Sequence, residues 1–98
     1  MATAAKRPEP RTVSITLPEP WVGWTATLRV TFPLKRLQDL QSGDFDRIAS
    51  AWDAVCVEHN FPDDEGGVAE SAATVCDYDA VSKAILLWTE AMAALPPR

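Results

Sequence analysis

Ninety-eight residues make one domain, and 47% apolar composition with four tryptophans suffices for a core without disulfide or metal staples. The net charge of −5 argues against direct nucleic-acid binding, which needs clustered Lys and Arg, although an acidic protein can occupy a basic site built for nucleic acid. No apolar run approaches the roughly 20 residues that span a bilayer. The start of the chain carries Lys6, Arg7 and Arg11 rather than a signal-like apolar stretch, so no membrane partner and a cytoplasmic location are expected. In that setting Cys56 and Cys76 read as buried reduced thiols, with a disulfide between them geometrically conceivable.

Residues 1–11 are small, charged and proline-rich, which predicts a disordered tail ahead of a domain over 12–95 and a short tail at 96–98. Over 12–17, Val13, Ile15 and Leu17 alternate with Thr12, Ser14 and Thr16, the period of a strand with one wet face. Pro18-Glu19-Pro20 breaks it. A second strand is predicted over 24–32, where Trp24, Ala26, Leu28, Val30 and Phe32 alternate with Thr25, Thr27, Arg29 and Thr31. Neighbours in sequence pair most simply as an antiparallel hairpin, and a lone hairpin is marginal, so helices must cover its apolar face. Trp21 and Val22 lie in the connection, where no predicted element covers them; Trp21 either anchors a partner or folds back on the hairpin.

Pro33 suits a first helical turn, and Leu34, Leu37 and Leu40 recur at steps of three, giving a short helix over 33–41. Gly43 is placed to end it in a left-handed conformation, and Asp44 to cap the next helix. That helix is expected over 45–59, with Phe45, Ile48, Ala49, Trp52, Val55 and Cys56 inward and Asp46, Arg47, Asp53 and Glu58 outward. Residues 60–69 read as a loop, with Pro62, Gly66 and Gly67 opposing regular structure, and 70–76 as an extended link.

A last helix is predicted over 77–95, capped by Asp77 and stopped by Pro96 and Pro97. Tyr78, Val81, Ile85, Trp88, Met92 and Leu95 form its stripe. Ile85, Leu86, Leu87 and Trp88 are consecutive, so at about 100° per residue they face nearly every direction. Such a helix is buried on several sides or keeps one side for a partner, and it serves a second copy of the chain, a homo-oligomer, as readily as a client. Leu28, Val30, Ile48, Trp52, Val55, Ile85 and Trp88 are the expected core, and the fold class is α+β: an N-terminal antiparallel β-hairpin packed on about three helices.

No motif specifies a reaction. Cys56 and His59 would share a helix face and, with Cys76 and Asp79, could be arranged as a zinc site, but no paired C-x-x-C supports one. Cys56 as a nucleophile with His59 as base lacks the electropositive setting a thiolate needs, because Asp53 and Glu58 are near. His59 reads instead as a partner for the last carbonyls of its helix. Asp63-Asp64-Glu65-Gly66-Gly67 lacks the alternating order and the later Glu of a calcium loop and reads as a solvated turn.

The stretch Leu37-Gln38-Asp39-Leu40-Gln41-Ser42-Gly43-Asp44-Phe45 resembles the first-helix junction of small tail assembly chaperones of long-tailed bacteriophages. Val57-Glu58-His59-Asn60-Phe61 followed by Pro62-Asp63-Asp64-Glu65-Gly66 is similar to their helix exit and acidic Gly turn, and Trp24-Thr25-Ala26-Thr27-Leu28-Arg29-Val30 to their opening strand. The resemblance covers residues 21–67 and, more loosely, the last helix; residues 70–76 depart from it. It implies a non-enzyme without cofactor that binds the tape-measure protein or another tail protein and keeps it soluble while tail-tube subunits polymerise around it. The surface it suggests here is Trp21, Val22, and the exposed side of Leu86 and Leu87 near Met92. A rival reading is a small acidic phage or mobile-element inhibitor occupying a basic nucleic-acid site. It predicts Asp39, Asp44, Asp46, Asp63, Asp64 and Glu65 gathered on one face.

Overall fold

The computed structural model describes residues 3–6 and 11–95, so most of the first expected tail and all of the 96–98 tail lie outside the described residues. The fold is α+β. Strand β1 (Thr12–Thr16) and strand β2 (Thr25–Arg29) pair antiparallel in the register Thr12↔Arg29, Ile15↔Ala26. The pairing runs past both strand ends: Leu17 N–H donates to Trp24 O at 2.9 Å and Val30 N–H to Arg11 O at 2.8 Å. The period-two alternation is realised, with Ile15, Leu17, Ala26 and Leu28 buried. On the opposite, wet face the hydroxyls of Ser14 and Thr27 join at 3.0 Å.

Helix α1 (Leu34–Leu40) turns at Gly43, φ 77°, into helix α2 (Phe45–Val55), whose first N–H groups donate to the Asp44 carboxylate. The turn residue is glycine because an L side chain strains at that φ. Along α1 only Leu40 is buried; Leu34 is exposed despite its place in the leucine pattern.

The sequence-based helix over 45–59 is too long by four residues. The helix stops at Val55, and Cys56–His59 is an edge strand, β3, antiparallel to β2. Cys56 is already extended at φ −78°, ψ 121°. The physical reason is long-range. Strand β2 has an open edge, and Val55, Cys56 and Val57 tolerate an extended backbone as well as a helical one. Asn60 completes the attachment. Its backbone N–H donates to Thr25 O, its Oδ1 accepts from Thr25 N–H at 2.7 Å, and its Nδ2 donates to Gly23 O at 2.9 Å. The sheet order is therefore β1-β2-β3, with β2 in the centre and its Leu28 fully buried.

The loop after β3 is folded back rather than open. A Pro62–Val68 bridge closes it, and Phe61, at its start, is fully buried. The Phe61 ring lies 5.4 Å from Trp24, 5.8 Å from Trp52 and 5.4 Å from His59, making it the hub of an aromatic cluster that sequence reading placed in a loop. The expected extended link at 70–76 contains a 3-10 turn, Ala72–Thr74, held to α2 by an Ala72 N–H to Asp53 Oδ1 bond of 2.9 Å. Asp53 is thus a tether as well as an outward residue.

Helix α3 (Tyr78–Ala94) starts from Asp77, whose carboxylate accepts from Asp79 N–H. It lies across the apolar face of the hairpin. Asp77 sits beside Trp21 at the hairpin turn, and the Trp88 indole N–H donates to Arg29 O at 3.0 Å at the far end of β2. Ala80, Val81, Ala84 and Trp88 are its buried residues, and small alanines let the helix approach the sheet closely. Of the expected core, Leu28, Trp52, Val55 and Trp88 are buried, while Val30, Ile48 and Ile85 are half-buried against them. Among the described residues no helix is long and apolar enough to cross a membrane.

Candidate partner-binding surface

The five residues expected to greet a partner are divided by the fold. Trp21 is half-buried on the core, and its indole N–H donates to Asp77 Oδ2 at 2.9 Å. One Asp77 oxygen therefore caps α3 while the other fastens the hairpin connection to it. Leu87 and Met92 also lie half-buried against the core. Val22 remains 71% exposed and Leu86 49% exposed. Val22 follows the residue bonded to Asp77, whereas Leu86 lies nine positions on from Asp77, about 13.5 Å along the helix axis.

A more continuous apolar surface lies where α2 and α3 begin. Phe45 and Tyr78 are each the first residue of their helix, one past the capping aspartate. A side chain in a helix leans toward the N-terminus, so at the first position it overhangs the end and has no preceding turn to rest on. This is why Phe45, expected inward by its spacing, is 67% exposed, and Tyr78, placed on the stripe of the last helix, is 54% exposed. The two rings meet edge to face, 5.1 Å between centroids at 82°. Beside the ring pair is a groove of about 240 Å³, lined also by Asp46, Ile48, Ala49, Ala72, Ala73, Val75 and Val81. The Asp53 tether fixes that lining by holding the 3-10 turn against α2.

Across the 3-10 turn the surface changes character. Ala73 and Val75 also line a second, wider cleft of about 540 Å³, whose other walls are Asp63, Asp64, Glu65, Glu70, Val68 and Thr74. In this acidic turn the Asp63 carboxylate is consumed locally: Oδ1 accepts from Glu65 N–H at 2.8 Å and Gly67 N–H at 3.0 Å. Asp64, Glu65 and Glu70 are exposed.

The thiol and imidazole expected on one helix face are on the strand instead. The register shift between Thr27 and Leu28 places Cys56 opposite Leu28 and His59 opposite Ala26. Both therefore sit on the buried side of the sheet, with Val57 as the extra residue. Burial, reinforced by the charge of Asp53, pushes the Cys56 thiol up to about 11, and its S–H is directed at Glu58 O at 3.4 Å. Such a thiol is un-ionised at neutral pH and is no nucleophile. His59 does not meet helix carbonyls as expected. Its Nδ1 accepts from Phe61 N–H at 3.0 Å, and burial lowers its proton affinity against the opposing pull of Asp53. Cys76, expected to be buried, is exposed, because the 3-10 turn delivers it to the surface just before α3. Both thiols are free. Cys56, His59, Cys76 and Asp79 are not brought into one metal-holding group.

The carboxylates named for the inhibitor reading are split. Asp39 and Asp46 stand in a cleft with Lys35, Arg36 and Arg47, and Asp44 is occupied in capping α2. Asp63, Asp64 and Glu65 line the other cleft, across the 3-10 turn. Comparison with protein-family models, curated sequences and solved structures finds no match to the chain.

Proposed function

We propose that this chain is a tail assembly chaperone of a long-tailed bacteriophage, a non-enzymatic protein that binds the tape-measure protein in the host cytoplasm and keeps it soluble during tail assembly. The observation that carries the reading is the open aromatic-walled groove between the starts of α2 and α3. Its volume of about 240 Å³ is below the usual range of small-molecule pockets and suits one or two anchoring side chains of another protein. The net charge of −5 gives the loaded complex a mutually repelling exterior. A mimic of nucleic acid needs one continuous negative face, whereas here Lys35, Arg36 and Arg47 interrupt the carboxylates. That difference favours the chaperone reading over the inhibitor.

Co-expression with the products of neighbouring genes, a long helical tail protein being the one sought, tests the reading. The expected result is that the tail protein becomes soluble only with this chain. The complex should weaken but survive at about 1 M salt, where the screening length falls to about 3 Å. Failure to retain any long helical protein contradicts the proposal. A complex that salt dissolves completely points back to the acidic inhibitor.

A further inference from the structure

The apolar groove and the acidic cleft share the 3-10 turn as a common wall, Ala73 and Val75 belonging to both. They therefore adjoin across that turn, with a hydrophobic seat on one side of it and exposed carboxylates on the other. We infer that this surface docks a basic amphipathic helix: a bulky apolar side chain seated in the groove against the Phe45–Tyr78 ring pair, with Lys or Arg side chains on the same segment reaching Asp64, Glu65 and Glu70. The inference rests on the protein-binding reading above and specifies the chemistry of the segment recognised.

Three observations select this occupant. The seat is apolar, lined by alanines and branched side chains, and its exposed aromatic walls gain most by being covered. The adjoining cleft offers three exposed carboxylates, for which Lys and Arg are the complement. A second copy of the chain is a poor fit, because its own groove brings the same acidic rim and like charges would face each other. The arrangement of helix ends also matters. A shallow seat opened by two helix starts and one turn accepts the convex face of a helix, read through residues spaced three and four apart.

The test uses the full chain and a short fluorescent helical peptide with a Leu/Phe face edged by Lys and Arg, followed by anisotropy. Two control peptides replace the apolar face by Ser or the basic residues by Glu. The expected result is binding of the first peptide only. Phe45→Ala with Tyr78→Ala should lower affinity about tenfold or more. Asp64→Asn, Glu65→Gln and Glu70→Gln together should lower it about three- to tenfold at low salt and remove most of its salt dependence. Ala73→Arg, at an exposed position on the shared wall, should block both halves without disturbing the core. Far-UV circular dichroism checks that each variant is folded.

Unchanged affinity in the aromatic pair or in Ala73→Arg overturns the inference, as does equal binding of the Glu-bearing peptide. A concentration-dependent dimer of the free chain that Phe45→Ala dissolves also overturns it, by assigning the groove to a second copy. The failures are separable. Peptide binding without any retained tail protein upholds the surface and removes the chaperone reading. A tail protein retained equally by the Phe45→Ala, Tyr78→Ala chain removes the surface and leaves the chaperone reading.

Discussion

Two aromatic groups meet the first turn of α3 and end differently. Trp21 arrives from the hairpin connection, and its indole is fastened to the Asp77 carboxylate and laid on the core. Phe45 arrives from the start of α2 and meets the Tyr78 ring, and both rings stay open to water. What separates them is a polar anchor contributed from 56 positions away, available to the indole N–H and not to a phenyl ring. Local spacing predicts the reverse outcome for Phe45 and leaves both outcomes open for Trp21. An apolar residue is covered when a distant group holds it down, and a helix start that lacks such a group becomes the free surface.

Substitutions can break this contrast, and the largest effect belongs to the covered side. Trp88→Ala removes a fully buried indole together with its bond to Arg29 O, and should lower unfolding free energy by about 3–5 kcal/mol in urea titration. Trp21→Phe leaves a smaller aromatic ring and loses the bond to a carboxylate, a loss expected to cost about 1.5–3 kcal/mol. A double-mutant cycle with Asp77→Ala should show coupling between the two; additive losses would mean that the indole is held by packing alone.

A further set of measurements uses pH. His59 is held below its ordinary 6.5 by burial, so the unfolded chain takes up the proton first. Stability is full above that value and falls as pH drops through it, because an imidazolium cannot accept the Phe61 N–H. Cys56 is raised from 9.0 to about 11, so stability falls as pH climbs above 9.0 and the unfolded thiol ionises first. Urea midpoints across the acid and alkaline limbs check both signs. His59→Gln should flatten the first limb and Cys56→Ala the second. The smallest effect is expected on the open side: Phe45→Ala should change stability by less than about 1 kcal/mol, since little of the ring is withdrawn from water. A loss as large as that of Trp88→Ala would erase the contrast.

The parts of the fold legible in sequence are those governed by near neighbours. Strand alternation at Val13-Ser14-Ile15 and Ala26-Thr27-Leu28, the caps Asp44 and Asp77, and the positive φ at Gly43 all follow from contacts within a few residues. Strand β3 is illegible because Val55-Cys56-Val57 suits a helix equally well until the edge of β2 claims it. Phe61 looks like a loop residue and is a hub because Trp24 and Trp52 converge on it from distant segments. The groove is half legible. Phe45 and Tyr78 stand out as apolar residues directly after capping aspartates, a signal for overhanging side chains that stripe counting does not register.

The most direct test is an amide-resolved NMR titration of the full chain with the basic amphipathic peptide. The account predicts perturbations clustered on Phe45, Ile48, Ala72, Ala73, Val75 and Tyr78 and extending to Glu65 and Glu70. Perturbations centred on Val22 and Leu86, with the groove unmoved, would contradict it.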